Sequence, residues 1–201
     1  MKLILKQRIF SLMDSYDIYD EYDQVVYKVS SRLSWGHKLD VYDSSGHCLA
    51  TIKEEILTFM PRFSIYIDDH YIGSFQKKIS LFPKYVLEFN DWSINGDFMN
   101  WNYTISDSYH EIATISKELF HFTDVYVIDV HNSQDALYAL LVVLAIDAEK
   151  CSASNNKKKR SRGFFSYASE RENLFFIVKL NSSKTRCNVF EVSFFNISAA
   201  F

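Results

Sequence analysis

An uninterrupted apolar run between residues 136 and 146 constrains the fold of this chain more than any other feature. Its eleven residues, Ala-Leu-Tyr-Ala-Leu-Leu-Val-Val-Leu-Ala-Ile, leave no polar face. Asn132 and Ser133 offer an N-cap, and Asp135 follows in the first turn, where a carboxylate suits the helix dipole. The run would span only about 17 Å of the roughly 30 Å hydrocarbon core of a bilayer. We therefore predict a helix over about residues 133–149 that protein surrounds on all sides.

A repeated pattern in the first 130 residues predicts the container for this helix. Segments 50–59, 73–82 and 113–122 share the order small, hydroxyl, apolar, polar, apolar and a final Phe. Turn residues and a strand-like run with alternating polarity precede each copy, which is typical of a β-hairpin. About five hairpins, or ten to twelve strands, would fill residues 3–130. A sheet of successive hairpins leaves no unpaired edge strands when it closes into a barrel. We therefore expect a mainly β fold, a closed barrel around the buried helix.

Charge divides the chain into two parts. Residues 1–150 carry 13 Lys and Arg against 22 Asp and Glu, whereas residues 151–201 carry 9 against 3. We expect residues 1–150 to form the barrel domain and residues 151–201 to form a basic, Ser- and Phe-rich extension of uncertain order. The abrupt change also allows the hypothesis that the extension is a readthrough or frameshift product. An acidic body does not attract nucleic acid, which we therefore do not expect as a partner.

Motifs that carry chemistry are absent from the sequence. It contains no phosphate-binding loop, nucleophile elbow, HExxH or calcium-loop pattern, and its six histidines are spread without i, i+4 pairing. The acidic groups Asp20–Asp23, Glu54–Glu55 and Asp68–Asp69 are interpreted as solvated turn acids, and Cys48, in phase with Ala50, as a buried small side chain. We expect no catalytic residue, no cofactor and no metal, and hence no enzyme.

The basic extension supplies the candidate contact for a partner. Each Lys or Arg near an anionic leaflet adds about 1 kcal/mol to binding, and neighbouring aromatic residues can insert. The sequence favours a solvated charge run over such a contact, because nothing fixes these residues in one geometry. The candidate contacts for an anionic surface are Lys157, Lys158, Lys159, Arg160 and Arg162, which Phe164 and Phe165 follow.

Four segments together resemble the LURP-one-related (LOR) family. They are Lys6–Leu12, Lys38–Asp43, Ala113–Lys117 and Leu140–Asp147, and their order and spacing over residues 1–150 are specific. The resemblance implies the Tubby C-terminal-like fold, a twelve-stranded β-barrel around a central hydrophobic helix that Tubby domains and phospholipid scramblases share. It implies little about mechanism, because bacterial and plant members have no established activity. Tubby domains bind phosphoinositides through a basic pocket, and the acidic body here does not match that pocket residue by residue.

Two classes of function follow as expectations. The first is a non-enzymatic binding or adaptor module with an unknown ligand or protein partner. Three cysteines without a CxxC pair suggest a reducing compartment, so we expect the protein in the cytoplasm. Peripheral contact with the inner face of the membrane is compatible with that location. The second class is scramblase-like lipid handling, or binding of phosphoinositides or other anionic lipids. A small-molecule enzyme with its site in the barrel mouth is the third alternative.

Overall fold

The structure is a computed structural model that describes residues 1–6, 15–34, 36–56, 58, 60–78, 84–120 and 123–168. For residues 33–34, 119–120, 123–124 and 153–168 it describes the backbone alone. The described chain consists of twelve β-strands followed by one long helix, so the mainly β prediction is confirmed.

All twelve strands lie between Lys2 and Val130, in close agreement with the predicted hairpins. The strands are β1 (Lys2–Leu5), β2 (Ser15–Tyr19), β3 (Val25–Ser34), β4 (Gly36–Asp43), β5 (Cys48–Glu54), β6 (Arg62–Ile67), β7 (His70–Lys78), β8 (Lys84–Leu87), β9 (Ser93–Asp97), β10 (Asn102–Ser106), β11 (Glu111–Phe120) and β12 (Thr123–Val130).

The strands form one antiparallel sheet that is nearly closed. Successive strands pair from β1 to β8 and from β9 to β12, and β1 also pairs with β12, with Lys2 opposite Asp129. The sheet order therefore begins with β8 and ends with β9, which lie side by side without a described ladder between them. We call the gap between β8 and β9 the seam. Aromatic rings cross it: Tyr85 and Phe98 pack edge to face with their ring centroids 4.8 Å apart.

The hairpin turns explain the aspartates that punctuate the sequence. Asp43 accepts hydrogen bonds from the backbone amides of Ser45 and His47 at 2.9 and 2.8 Å. Asp20 and Asp107 cap their own turns in the same way, which is the local geometry that makes Asp favourable at turns. These bonds lower the pKa of Asp43 and Asp107, the first through the Ser45 hydroxyl above all and the second through backbone amides.

The helix fills the barrel as its composition requires. A 3-10 turn, Ser133–Asp135, leads into α1 (Ala136–Ala168), and the Asn132 side chain accepts a hydrogen bond from the Gln134 amide at 3.1 Å. Eight consecutive residues, 139 to 146, are fully buried against the inward side chains of the strands. The helix continues well past the predicted end near residue 149, to Ala168.

The direction of α1 defines two ends of the barrel. We call the end at which α1 begins the upper rim; the turns β2–β3, β4–β5, β6–β7 and β10–β11 lie there, because the strands alternate in direction. We call the opposite end, where α1 leaves the barrel, the lower rim. The connections β3–β4, β5–β6, β7–β8, β9–β10 and β11–β12 belong to the lower rim.

Two local expectations are wrong. Cys48 is exposed, because the β4–β5 register shifts by one residue and places Cys48 opposite Tyr42 while Ala50 faces Val41. Glu54 and Glu55 are half-buried instead of solvated: the Glu55 carboxylate accepts a hydrogen bond from the Ser64 hydroxyl at 2.6 Å. The interpretation as solvated turn acids is confirmed for Asp68 and Asp69, both exposed.

Candidate functional site

The most unusual chemistry of the described residues lies inside the lower rim, around the point where α1 leaves the barrel. Above this level the helix is apolar, but Asp147 and Glu149 bring two carboxylates into the core, with 4% and 1% of their surfaces exposed. We define the lower-mouth cluster as Lys77, Tyr85, Tyr103, Asp147 and Glu149. Lys77 and Tyr85 lie opposite each other in the β7–β8 ladder, near the lower ends of their strands, and both side chains face inward.

Glu149 joins the helix to the wall of the barrel. The Lys77 ammonium donates to Glu149 Oε1 at 3.2 Å, and the Tyr85 hydroxyl donates to Glu149 Oε2 at 3.0 Å. Lys77 also lies 5.9 Å above the centroid of the Tyr85 ring. A buried carboxylate is tolerated only when it is paired and hydrogen-bonded, and this arrangement supplies both partners.

Lys150 makes a second connection between the helix and the lower rim. Its ammonium donates a hydrogen bond to the Phe98 carbonyl and lies 4.0 Å above the centroid of the Trp101 ring. Phe98 and Trp101 belong to the β9–β10 turn, next to the seam. Consecutive residues of α1 thus fasten the helix to β7 and β8 on one side of the seam and to β9–β10 on the other.

The tyrosines of this region are buried together with their hydroxyl groups. Tyr103 is 2% exposed, and its hydroxyl has no hydrogen-bond partner among the described residues; the same holds for the Tyr16 hydroxyl. Burial raises the pKa of both phenols well above the usual value, and the nearby Asp147 charge adds to the effect. The pKa of Tyr85 is raised for the same main reason, burial, and further by Glu149.

The predicted surface contacts lie on the same helix below the lower-mouth cluster. Lys157, Lys158, Lys159, Arg160 and Arg162 fall within the backbone range of α1, but their side chains lie outside the described part of the chain. The backbone of α1 therefore places the basic run about two turns of helix beyond Glu149. Residues 169–201 of the extension lie outside the described residues.

Other titratable groups are spread over the barrel. His47, His70, His110 and His131 lie at or beside turns of the upper rim and are exposed. Within the described ranges, no group of three or more His, Cys, Asp or Glu side chains could hold a metal ion. No helix in those ranges is both long and apolar enough to cross a membrane.

Sequence reasoning missed the lower-mouth cluster. Glu149 and Tyr85 are 64 residues apart, and Glu149 and Lys77 are 72 apart, so no motif joins them. The only available signal was that Asp147 and Glu149 end the apolar run inside a helix predicted to be surrounded. Such acids must find partners on the surrounding wall.

Comparisons with known proteins agree with this architecture. The chain is 29% identical over 149 residues to the uncharacterized protein YxjI of Bacillus subtilis (strain 168), covering 73% of this chain and 92% of that protein. The X-ray structure of an Arabidopsis thaliana protein superposes with a TM-score of 0.51 at 17% identity, over 73% of this chain and 89% of that one. This second similarity concerns the fold alone. Residues 1–147 match the family described as LURP-one-related, and the chain therefore belongs to the LURP-one-related (LOR) family.

Proposed function

We propose that this chain is a non-enzymatic binding module that uses the barrel as an anchor for a cationic helix, which contacts an anionic surface such as the inner leaflet of a membrane. One observation carries the proposal: a single helix runs from the apolar core through the lower mouth to the basic run at 157–162. The contacts of Glu149 and Lys150 hold that helix where it leaves the barrel. A fixed helix loses less conformational entropy on binding than a free tail would.

The contacts of Glu149 support a role without catalysis. Glu149 is engaged by Lys77 and Tyr85 and is almost inaccessible to solvent. A general acid or base must reach a substrate proton within hydrogen-bond distance, and these contacts occupy both carboxylate oxygens of Glu149. Four of the five described histidines lie at the upper rim, and the fifth, His37, has its Nε2 3.7 Å from the Glu54 carboxylate.

Co-sedimentation of the full chain with vesicles tests the proposal. We expect binding to vesicles rich in phosphatidylglycerol or phosphatidylserine, weak binding to phosphatidylcholine vesicles, and loss of binding at high salt. Changing four basic residues of the run, Lys157, Lys158, Lys159 and Arg160, to Gln should weaken binding by a factor on the order of 10³, at about 1 kcal/mol per charge. A matched variant changes Arg171, Lys179, Lys184 and Arg186 to Gln.

Three results would contradict the proposal. Equal binding to neutral vesicles would show that charge is not the attraction. An equal loss in the matched variant would show that the run has no special position. A wild-type chain that binds no vesicle would redirect the search to a protein partner, for which the barrel would act as an adaptor.

The burial of the helix favours this proposal over scramblase-like lipid handling. Six large apolar side chains lie between residues 140 and 146, all with no exposed surface. Moving them into a bilayer would leave the inward apolar side chains of the strands exposed to water, at a cost on the order of 10 kcal/mol, which is comparable to the whole stability of a domain. Amide hydrogen exchange with and without vesicles separates the two functions. We expect strong protection of residues 139–146 in both conditions, whereas a helix that enters the bilayer would lose its barrel contacts and change its protection.

A further inference from the structure

The strand register places basic residues directly opposite one another on the outer wall of the barrel. Lys38 lies opposite Arg32 on one side and Lys53 on the other, which makes a row across β3, β4 and β5. Lys78 lies opposite Lys84 in the β7–β8 ladder. All five belong to strand segments near the lower rim. We define the basic belt as Arg32, Lys38, Lys53, Lys78 and Lys84.

The side chains of the belt face solvent. Leu39 and Ile52, the neighbours of Lys38 and Lys53, are buried in the core, so the alternation of the strand turns the two lysines outward. Lys53, Lys78 and Lys84 are exposed. Among the described residues, no carboxylate forms an ion pair with any of these three.

A single buried carboxylate organises the row on β3 to β5. The Asp40 side chain is 3% exposed, and its oxygens lie 3.0 Å from the Lys38 ammonium and 3.6 Å from Arg32 Nε. The Thr51 hydroxyl donates to Asp40 Oδ1 at 2.7 Å. One negative charge thus holds two cations in place but does not neutralise the row, which keeps an excess of two positive charges.

Such pairs are unfavourable for the isolated barrel. Two like charges directly opposite each other destabilise an antiparallel sheet by roughly as much as a pair of opposite charges stabilises it. The acidic turns at Asp20–Asp23, Asp43, Asp68–Asp69 and Asp107 lie at the other end of the molecule and cannot relieve them. An anionic surface brought against the lower rim would relieve the repulsion and would also be held away from the acidic upper rim.

We infer that the basic belt is a second contact for the anionic surface, so that the barrel docks with its lower half toward the membrane and its acidic turns away from it. The inference rests on the proposed function, because the helix and the belt meet the same surface. The partner is an anionic lipid leaflet. The belt extends the contact from the helix to the wall of β3–β8, which is half of the twelve strands.

Vesicle titration of the full chain tests the inference with variants that remove one member of each opposed lysine pair. The K53Q/K84Q variant removes two charges from the belt. We expect its affinity for phosphatidylglycerol vesicles to fall roughly 30-fold, at about a factor of five per charge. Its thermal midpoint should stay equal or rise, because two like-charge pairs are relieved. The control is K2Q/K28Q, which removes two charges nearer the upper rim and should change the affinity less than about threefold.

The outcomes separate this inference from the proposed function. Unchanged binding of K53Q/K84Q, combined with loss in the variant of the 157–162 run, overturns the belt and leaves the proposed function standing. Equal losses in K53Q/K84Q and K2Q/K28Q also overturn the belt, since they reveal only a dependence on total charge. A wild-type chain that binds no anionic vesicle overturns both.

Discussion

Replacing Lys77 by Met is the sharpest test of how the helix is fastened in the lower mouth. The substitution keeps the length and apolar stem of the side chain but leaves the Glu149 carboxylate without its cation. The Lys77 and Glu149 side chains are 29% and 2% exposed, and their charged atoms are 3.2 Å apart. At an effective dielectric constant of 20, the attraction at that distance is about 5 kcal/mol before desolvation is subtracted.

The net effect on the free energy of unfolding should be smaller than this attraction. Removal of one partner from a buried pair costs about 3–5 kcal/mol. Glu149 keeps the hydrogen bond from Tyr85, and Lys77 is partly solvated, so we expect K77M to lose about 3 kcal/mol. The double variant K77M/E149M replaces both charges with apolar groups of similar volume, so its main cost, about 1 kcal/mol, is that of the Tyr85 hydroxyl, which loses its acceptor.

Urea unfolding of wild type, K77M, E149M and the double variant forms a double-mutant cycle that measures the coupling. We expect E149M alone to cost about 1 kcal/mol, because Lys77 can extend into water. The reasoning is refuted if K77M changes the unfolding free energy by less than about 0.5 kcal/mol. It is equally refuted if the double variant loses the sum of the two single effects.

Two further predictions concern the buried tyrosines and two glycines, Gly96 of β9 and Gly46 of the β4–β5 turn. Burial raises the pKa of Tyr85 and Tyr103 above that of an unfolded tyrosine. Above about pH 10 the folded state therefore retains the two protons that the unfolded state loses. The free energy of unfolding should then fall with rising pH by about 1.4 kcal/mol per pH unit for each group. Y103F should reduce that slope in urea titrations between pH 9 and 11, and its free energy of unfolding at pH 7 should be unchanged or higher. A loss of more than about 1 kcal/mol at pH 7 would show that the Tyr103 hydroxyl has a hydrogen-bond partner. A Cβ at Gly96 would lie 2.6 Å from both the Asn102 carbonyl oxygen and the Tyr103 Cα, so G96A should lower the free energy of unfolding by more than about 2 kcal/mol. A Cβ at Gly46 would have no atom within 4 Å, so G46A should cost only about 1 kcal/mol, for its positive φ. Equal thermal shifts for G96A and G46A would contradict the steric argument.

Much of the fold could be predicted because its signals are local. The run from Ala136 to Ile146 has no polar face, and a helix without a polar face must be enclosed. Alternating strands and Asp-rich turns required a hairpin succession, and the Asn132 cap marked the helix start. The failure at Cys48 has an equally local origin: a register shift beside the β4–β5 turn moved it out of phase with Ala50.

The lower-mouth cluster and the basic belt could not be predicted in the same way. Their members come together only when the sheet closes and the helix enters it. Alternation along β7 tells that Lys77 faces inward, but not that Glu149 of the helix will stand opposite it, 72 residues later. Likewise, Lys38 and Lys53 are ordinary surface lysines in the sequence, and only the β4–β5 register makes them direct neighbours.

The sequence by itself determined the mainly β fold, the enclosed helix and the charge difference between the body and its extension, because each depends on the composition or period of a continuous segment. The tertiary structure alone decided which end of the barrel the helix leaves, which residues clamp Glu149 and Lys150, and where the basic side chains gather. Strand pairing and helix insertion join positions distant in the chain. Their register depends on closure of the whole sheet, which no single segment encodes.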